Sequence, residues 1–188
     1  LYDGGTMIYG FAGRKRSGKD TAAKVLIEAG LTKIALADGV RRSVEILDPY
    51  LRSNDGSKTC RWSELGHTWE SVKDSEWSNE ARRLLQVLGT DLGRDFYSEN
   101  FWVERFLDKV STADVDVVCT DVRFQNEVDA ITNAGGVVIL VTRPGLEEVD
   151  LHESEKLDIL PTHTVLNDGS VEDLHSKVRS LVRSIAHG

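Results

Sequence analysis

The residues best suited to chemistry in this 188-residue chain lie close together near its start, in Gly13-Arg14-Lys15-Arg16-Ser17-Gly18-Lys19. The spacing is GxxxxGK. Glycines let a backbone curl until successive N–H groups converge on one point, and a helix beginning there adds the positive end of its dipole. Such a turn suits the phosphates of a nucleotide, and Lys19 brings a mobile positive charge that can reach the β- and γ-phosphates. Ser or Thr usually follows the lysine, its hydroxyl binding Mg²⁺; here Asp20 follows, with Thr21 next. An aspartate beside a triphosphate is repelled unless a cation or an arginine lies between them. Asp20 and Thr21 are therefore the candidate Mg²⁺ ligands. Asp20 would hold a metal-bound water or orient groups of the second substrate. Its plainer reading is a first-turn aspartate that favours the helix dipole.

A second cluster follows the apolar run Val115–Cys119, where Asp121 and Arg123 stand two apart. Asp121 could serve near a metal or an acceptor, and the planar fork of Arg123 suits a phosphate. A structural ion pair is the alternative. Arg82 and Arg83 are adjacent on a helical stretch, so they diverge by about 100° and at most one faces a given site. Arg82 is taken for the site and Arg83 for a surface pair. Trp102 offers an aromatic plane for a base, but its helical spacing with Phe101, Val103 and Phe106 suits core packing equally well.

These residues need elements to hold them. Met7–Ala12 reads as a buried strand leading into the glycine turn, and Lys19–Ala29 as the helix behind it. Thr32–Ala37 is a second short strand, followed by a helix from Asp38 to about Leu47. Residues 49–80 are polar, with weak helical signals near Trp62 and Trp69. Glu80–Leu88 is helical and stops at Gly89; Ser98–Val110 is another helix. Asp121 is placed just past the carboxyl end of the strand Val115–Cys119. A helix over 125–133, a strand over 137–141, a charged connector over 143–161, a strand over 164–166 and a helix over 171–186 complete the chain. Short apolar strands alternating with helices predict an α/β fold, a parallel sheet covered on both faces. Ligands collect beyond the carboxyl ends of such strands. One domain, residues 7–188, is expected, with Leu1–Thr6 read as a remnant that precedes Met7.

Bulk properties narrow the partners. The net charge of -8, from 31 acidic and 23 basic residues, argues against a nucleic-acid polymer. No apolar run is long enough to cross a membrane, so a soluble, cytoplasmic protein is expected. Cys60 and Cys119 fit no zinc or CxxC spacing and read as free thiols. The five histidines show no metal-ligand spacing either.

The run GRKRSGKDTAAKVL (13–26) resembles the phosphate loop of the deoxynucleoside monophosphate kinases of bacteriophages. ALADGVRRSV (35–44), RRLLQVLGTDL (82–92), DVRFQNEVDAITNAGGVVILVTRPG (121–145) and HESEKLDILPTHTVLNDGSVEDL (152–174) resemble the same family, while residues 48–78 do not align readily. The resemblance implies a three-layer P-loop NTPase fold related to adenylate kinase: a five-stranded parallel sheet flanked by helices, a helical acceptor-binding insertion (38–80) and a lid (143–161). It implies ATP contacts from Gly13 through Thr21 with Gly89 near nucleotide, and acceptor contacts from Val40, Arg41, Arg82, Thr90, Trp102, Asp121, Arg123 and Glu127. The catalytic set is then Lys19, Asp20, Asp121 and Arg123. ATP and Mg²⁺ are the implied cofactors, small-molecule nucleotides the partners, host cytoplasm the location for a phage protein, and a homodimer a common state of related enzymes. Asp38-Gly39 departs from the Gly-Pro often found there. Rival readings are a P-loop kinase acting on dephospho-coenzyme A or phosphomevalonate, and a module that senses ATP without transferring phosphate.

Overall fold

Five consecutive residues without an exposed side chain, Ile8–Ala12, form strand β1, and such a run suits the centre of a parallel sheet covered on both faces. A computed structural model describes residues 6–146 and 158–187. In chain order the elements are β1, α1 (Lys19–Glu28), β2 (Thr32–Lys33), α2 (Asp38–Leu47), β3 (Tyr50–Arg52), β4 (Thr59–Arg61), α3 (Ser78–Gln86), a π-helical segment (Val87–Tyr97), α4 (Phe101–Val110), β5 (Val117–Val122), α5 (Gln125–Asn133), β6 (Val137–Thr142), β7 (His163–Leu166) and α6 (Val171–His187). The chain divides into two compact units, residues 1–36 with 107–188, and residues 37–106. The second unit reaches well beyond the 38–80 expected for an insertion.

The first unit holds a five-stranded sheet of order β2-β5-β1-β6-β7, in which every pairing is parallel. The α/β expectation is met. On one side, Phe11, Ala22, Ala23, Leu26, Val118, Ile139, Leu174 and Val178 pack into a continuous core, which places α1 and α6 together. Between Gly10↔Cys119 and Ala12↔Val122 the register slips, because β5 carries one residue more than β1. That irregularity falls at Thr120–Asp121. Asp121 therefore lies inside β5, not past its end; Thr120 and Asp121 extend the strand that the sequence closes at Cys119.

The second unit is built around Val44, Leu51, Trp62, Val72, Trp77 and Ala81. Trp62 stacks on Trp69 at 4.1 Å, and the Trp69 Nε1 donates to Glu45 Oε1 at 3.0 Å. Two features depart from expectation. Residues 50–61 form an antiparallel hairpin, β3 with β4, where the sequence suggests polar and weakly helical chain. Its turn is Asn54-Asp55-Gly56-Ser57, held by Ser53, Ser57 and the backbone N–H of Ser57 donating to Asp55 Oδ1. The helix expected to stop at Gly89 instead continues as eleven π-helical residues to Tyr97.

Candidate active site

Between β1 and α1 the backbone takes unusual conformations. Arg16 and Gly18 have φ of 67° and 96°, and Ser17 N donates to Arg14 O at 3.1 Å to close a tight turn. Gly13 is required by space as well as by φ (156°). A Cβ there would collide with Ser17 Oγ and lie 2.7 Å from Val141 O. The Ser17 side chain is buried, and its Oγ has no hydrogen-bond partner among the described residues. Buried hydroxyls are normally satisfied, so this one calls for a ligand oxygen. Lys19 lies 3.8 Å from Asp20 Oδ2 and is mostly covered, whereas Asp20 is 68% exposed. Thr21 O accepts from His175 Nε2 at 2.9 Å. Arg14 Nη1 donates to Leu146 O at 3.0 Å, while Lys15 and Arg16 are exposed.

At the carboxyl end of β5, Asp121 Oδ1 accepts from Leu36 N at 2.9 Å and from the Cys119 thiol at 3.2 Å. Complete burial, with the Asp121 carboxylate beside it, pushes the Cys119 thiol well above its ordinary value, so it stays a protonated donor. Arg123 leads into α5 with its side chain in solvent. Its backbone N donates to Glu127 Oε2 at 2.7 Å, and Phe124 N does so at 3.1 Å. Glu127 is thus the buried cap of α5. The expected lid lies for its greater part, 147–157, outside the described residues. Of its described flanks, Leu146 is held by Arg14, and Leu160 N donates to Gln125 Oε1 at 2.7 Å.

In the second unit, Val40 is buried beside Gly89, where an added Cβ would sit 3.6 Å from Val40 Cγ2. Arg41 Nη1 lies 3.4 Å from Asp38 Oδ1, and its buried Nε is unpartnered among the described residues. Arg82 is exposed. Arg83 forms the surface pair expected of it, with both Glu80 oxygens at 2.7 and 3.0 Å, which lowers the Glu80 carboxyl. Thr90 is exposed in the π-helical segment. Trp102 Nε1 donates to Gly89 O at 2.9 Å. Its ring lies against Gly39 and Gly93, where Cβ atoms would come within 2.8 Å of Cε3 and Cε2 respectively. π-helical segments often mark functional positions.

The family model for deoxynucleotide monophosphate kinase matches residues 43–178, well over half of the chain. The chain belongs to the deoxynucleotide monophosphate kinase family. Phage T4 deoxynucleotide monophosphate kinase is 37% identical over 140 residues, covering 71% of this chain and 58% of the T4 protein. The chain thus spans under two thirds of that relative. A protein of Acanthamoeba polyphaga mimivirus, assigned provisionally to the same activity, is 31% identical over 94% of this chain and 96% of its own length. Among solved structures, dephospho-CoA kinase from Campylobacter jejuni superposes with a TM-score of 0.53 at 14% identity, over 97% of this chain and 99% of that one. TT1252 from Thermus thermophilus gives 0.53 at 16%, over 96% and 98%. At those identities the two structures establish the kinase's fold alone.

The residues of this kinase fit a triphosphate. The glycine cradle, the Ser17 hydroxyl unpartnered among the described residues and the mostly covered Lys19 all lie at the N-terminus of α1. Asp20 and Thr21 supply hard oxygen donors there, which suits Mg²⁺, an ion that takes few protein ligands and shares itself with phosphates. Sequence reasoning missed Asn167, whose Nδ2 donates to Ser17 O at 2.9 Å, and the thiol of Cys119 against Asp121. The Asn-Asp-Gly-Ser run at 167–170 carried a signal without a role, and Cys119 carried none.

Proposed function

We propose that this kinase transfers the γ-phosphoryl group of ATP to a deoxynucleoside monophosphate. The reading is carried by the phosphate cradle, where the buried Ser17 hydroxyl in a GxxxxGK loop lacks a partner among the described residues. The loop N–H groups from Gly13 to Thr21, with Lys19, hold the β- and γ-phosphates. Arg14, Lys15 and Arg16 add charge around them, and Gly89 lies near nucleotide. Mg²⁺, held by Asp20 and Thr21, would neutralise developing charge on the phosphates. Val40, Arg41, Arg82, Thr90, Trp102, Asp121, Arg123 and Glu127 serve the acceptor.

A phosphate oxygen of the acceptor attacks the γ-phosphorus in line, and the bond to the β,γ-bridging oxygen breaks. ADP leaves with that electron pair. The transition state is loose, so catalysis is chiefly positioning and charge stabilisation. No general base is needed, since a monophosphate dianion is already nucleophilic near neutral pH. Catalytic roles fall to Lys19 and Arg123, with Asp20 and Asp121 beside them. The kinase then works in the cytoplasm on small nucleotides.

The test is a panel of deoxy- and ribonucleoside monophosphates with ATP and Mg²⁺, following ADP release. Acceptor-dependent ADP formation with at least one deoxynucleotide is expected. ATP binding without any acceptor-dependent turnover would leave only a sensing module.

A further inference from the structure

Asn167 sits immediately after β7, and two hydrogen bonds hold it, one to the end of β6 and one to the phosphate loop. Its backbone N donates to Thr142 O at 2.7 Å, tying it to the end of β6. Its side-chain Nδ2 donates to Ser17 O at 2.9 Å, across 150 residues of sequence. Gly18 makes the approach possible, because a Cβ at that position would collide with Asn167 Nδ2 and sit 3.6 Å from Leu174 Cδ2. The sequence alternatives at Gly18 are closed twice over, by this contact and by its φ of 96°.

The contact has a directional consequence. In a trans peptide the C=O and the following N–H point in opposite directions within one plane. Holding the Ser17 carbonyl toward Asn167 therefore aims the Gly18 N–H away from Asn167. Gly18 precedes α1, and its own carbonyl is engaged by Ala22 N at 2.8 Å, so the flanking peptide is already fixed. The Ser17–Gly18 peptide is the hinge that remains, and Asn167 locks it.

We propose that Asn167 is a positioning residue for phosphoryl transfer: it clamps the Ser17–Gly18 peptide so that the Gly18 N–H points at the phosphates of the bound triphosphate. This rests on the loop being the ATP site. Without the clamp the peptide can rotate, and a preorganised donor becomes one that must be ordered by the ligand. Asn167 touches no reacting atom in this scheme; it acts through the loop.

Asn167→Leu keeps the branched shape without the donor, and Asn167→Ala removes both. In folded variants, ATP affinity by calorimetry is expected to fall about tenfold or more, the scale for a hydrogen bond to a charged group. The acceptor KM should stay within about twofold, and the Gly18 amide resonance should lose most of its ATP-induced shift. Wild-type ATP affinity together with a wild-type Gly18 shift overturns the clamp. The unaltered chain gives an independent check, should either variant unfold. There the Asn167 side-chain amide should exchange slowly with solvent and shift when ATP binds, and fast exchange without a shift overturns the proposal. Lys19→Ala separates the two levels. If it leaves ATP affinity and transfer unchanged, the site reading falls and the clamp with it. If it abolishes them while Asn167 variants are silent, only the clamp falls.

Discussion

Glu127 Oε2 accepts from the backbone N–H of Arg123 at 2.7 Å and of Phe124 at 3.1 Å, so one buried carboxylate both caps α5 and fixes how the chain leaves β5. The resemblance implies an acceptor contact at Glu127, and its carboxylate also holds the backbone that carries Arg123. Glu127→Ala should therefore cost stability of about 1 to 2 kcal/mol, the range for a lost helix cap with buried N–H groups left unpaired. Urea denaturation should show a lower midpoint with an unchanged slope. The acceptor KM should rise as well, because Arg123 loses its anchor. An unchanged midpoint would remove Glu127 from the support of this corner.

Lys19→Ala should fold normally, since among the described residues its side chain has one ion pair, the 3.8 Å contact with Asp20. Loss of its charge should slow phosphoryl transfer by roughly 10²-fold or more, the scale for removing one preorganised donor. Steady-state kinetics checks this. A folded variant with near-normal kcat would take the loop out of the mechanism.

Arg123→Ala should damage use of the monophosphate and spare ATP. Its backbone is fixed by Glu127 while its side chain is exposed, so its loss should leave the fold intact. Calorimetry with each nucleotide separately decides the point. Equal weakening of both would contradict the assignment.

The sheet unit was legible because its strands are short apolar runs next to glycine turns, which leave few alternatives. Ile8–Ala12, Lys19–Glu28 and Gln125–Asn133 fall where periodicity places them, within a residue or two at their ends. The helical unit was less legible. The β3–β4 hairpin has strands of three residues each, too short for alternation to show, although Asp55-Gly56 at its tip is a turn signal. The π-helical run was hidden because Gly89 reads as a stop. In the structure Gly89 O accepts from Trp102 Nε1 and Gly93 makes room for the Trp102 ring. The phosphate loop could be read as a motif. Its supports could not, since Asn167 and Ser17 are brought together by topology across 150 residues.

Cys119 should show its burial in a pH profile. Its thiol is pushed well above the ordinary 9.0, chiefly by burial. The folded state therefore keeps a proton that the unfolded chain gives up from about pH 9 upward. Stability is present below that pH and is lost as pH rises toward the folded value. Melting temperature should fall above about pH 9, and Cys119→Ala should flatten that fall. Native protein should also react with Ellman's reagent at one thiol, the partly exposed Cys60, and at both in denaturant. Rapid reaction of two thiols in the native state would contradict the burial.

Trp102 decides between a ring that stacks on a base and a ring that builds the site. Its Nε1 is spent on Gly89 O at 2.9 Å, and glycines at 39 and 93 make room for its ring. Phe101 meets it edge-on at 4.8 Å. These contacts support the second role, in which Trp102 sets the π-helical turn that carries Gly89 and Thr90. Trp102→Leu should then cost about 2 to 4 kcal/mol, from lost ring volume and an unpaired carbonyl. That corresponds to a fall in melting temperature of roughly 4 to 16 °C for a chain of this size. Acceptor affinity should weaken in step with the disturbed turn, and ATP affinity less. Trp62 and Trp77 are core residues, so stripping them to isolate Trp102 fluorescence should destabilise the unit. Fluorine NMR of 5-fluorotryptophan-labelled protein reads the ring directly, with Trp102→Leu assigning its signal. The Trp102 signal should be shielded from solvent before any nucleotide is added and should move little when a deoxynucleoside monophosphate binds. A large shift on binding, with acceptor KM raised about 5- to 150-fold and an unchanged melting temperature in Trp102→Leu, would return the ring to the base, since stacking is worth about 1 to 3 kcal/mol.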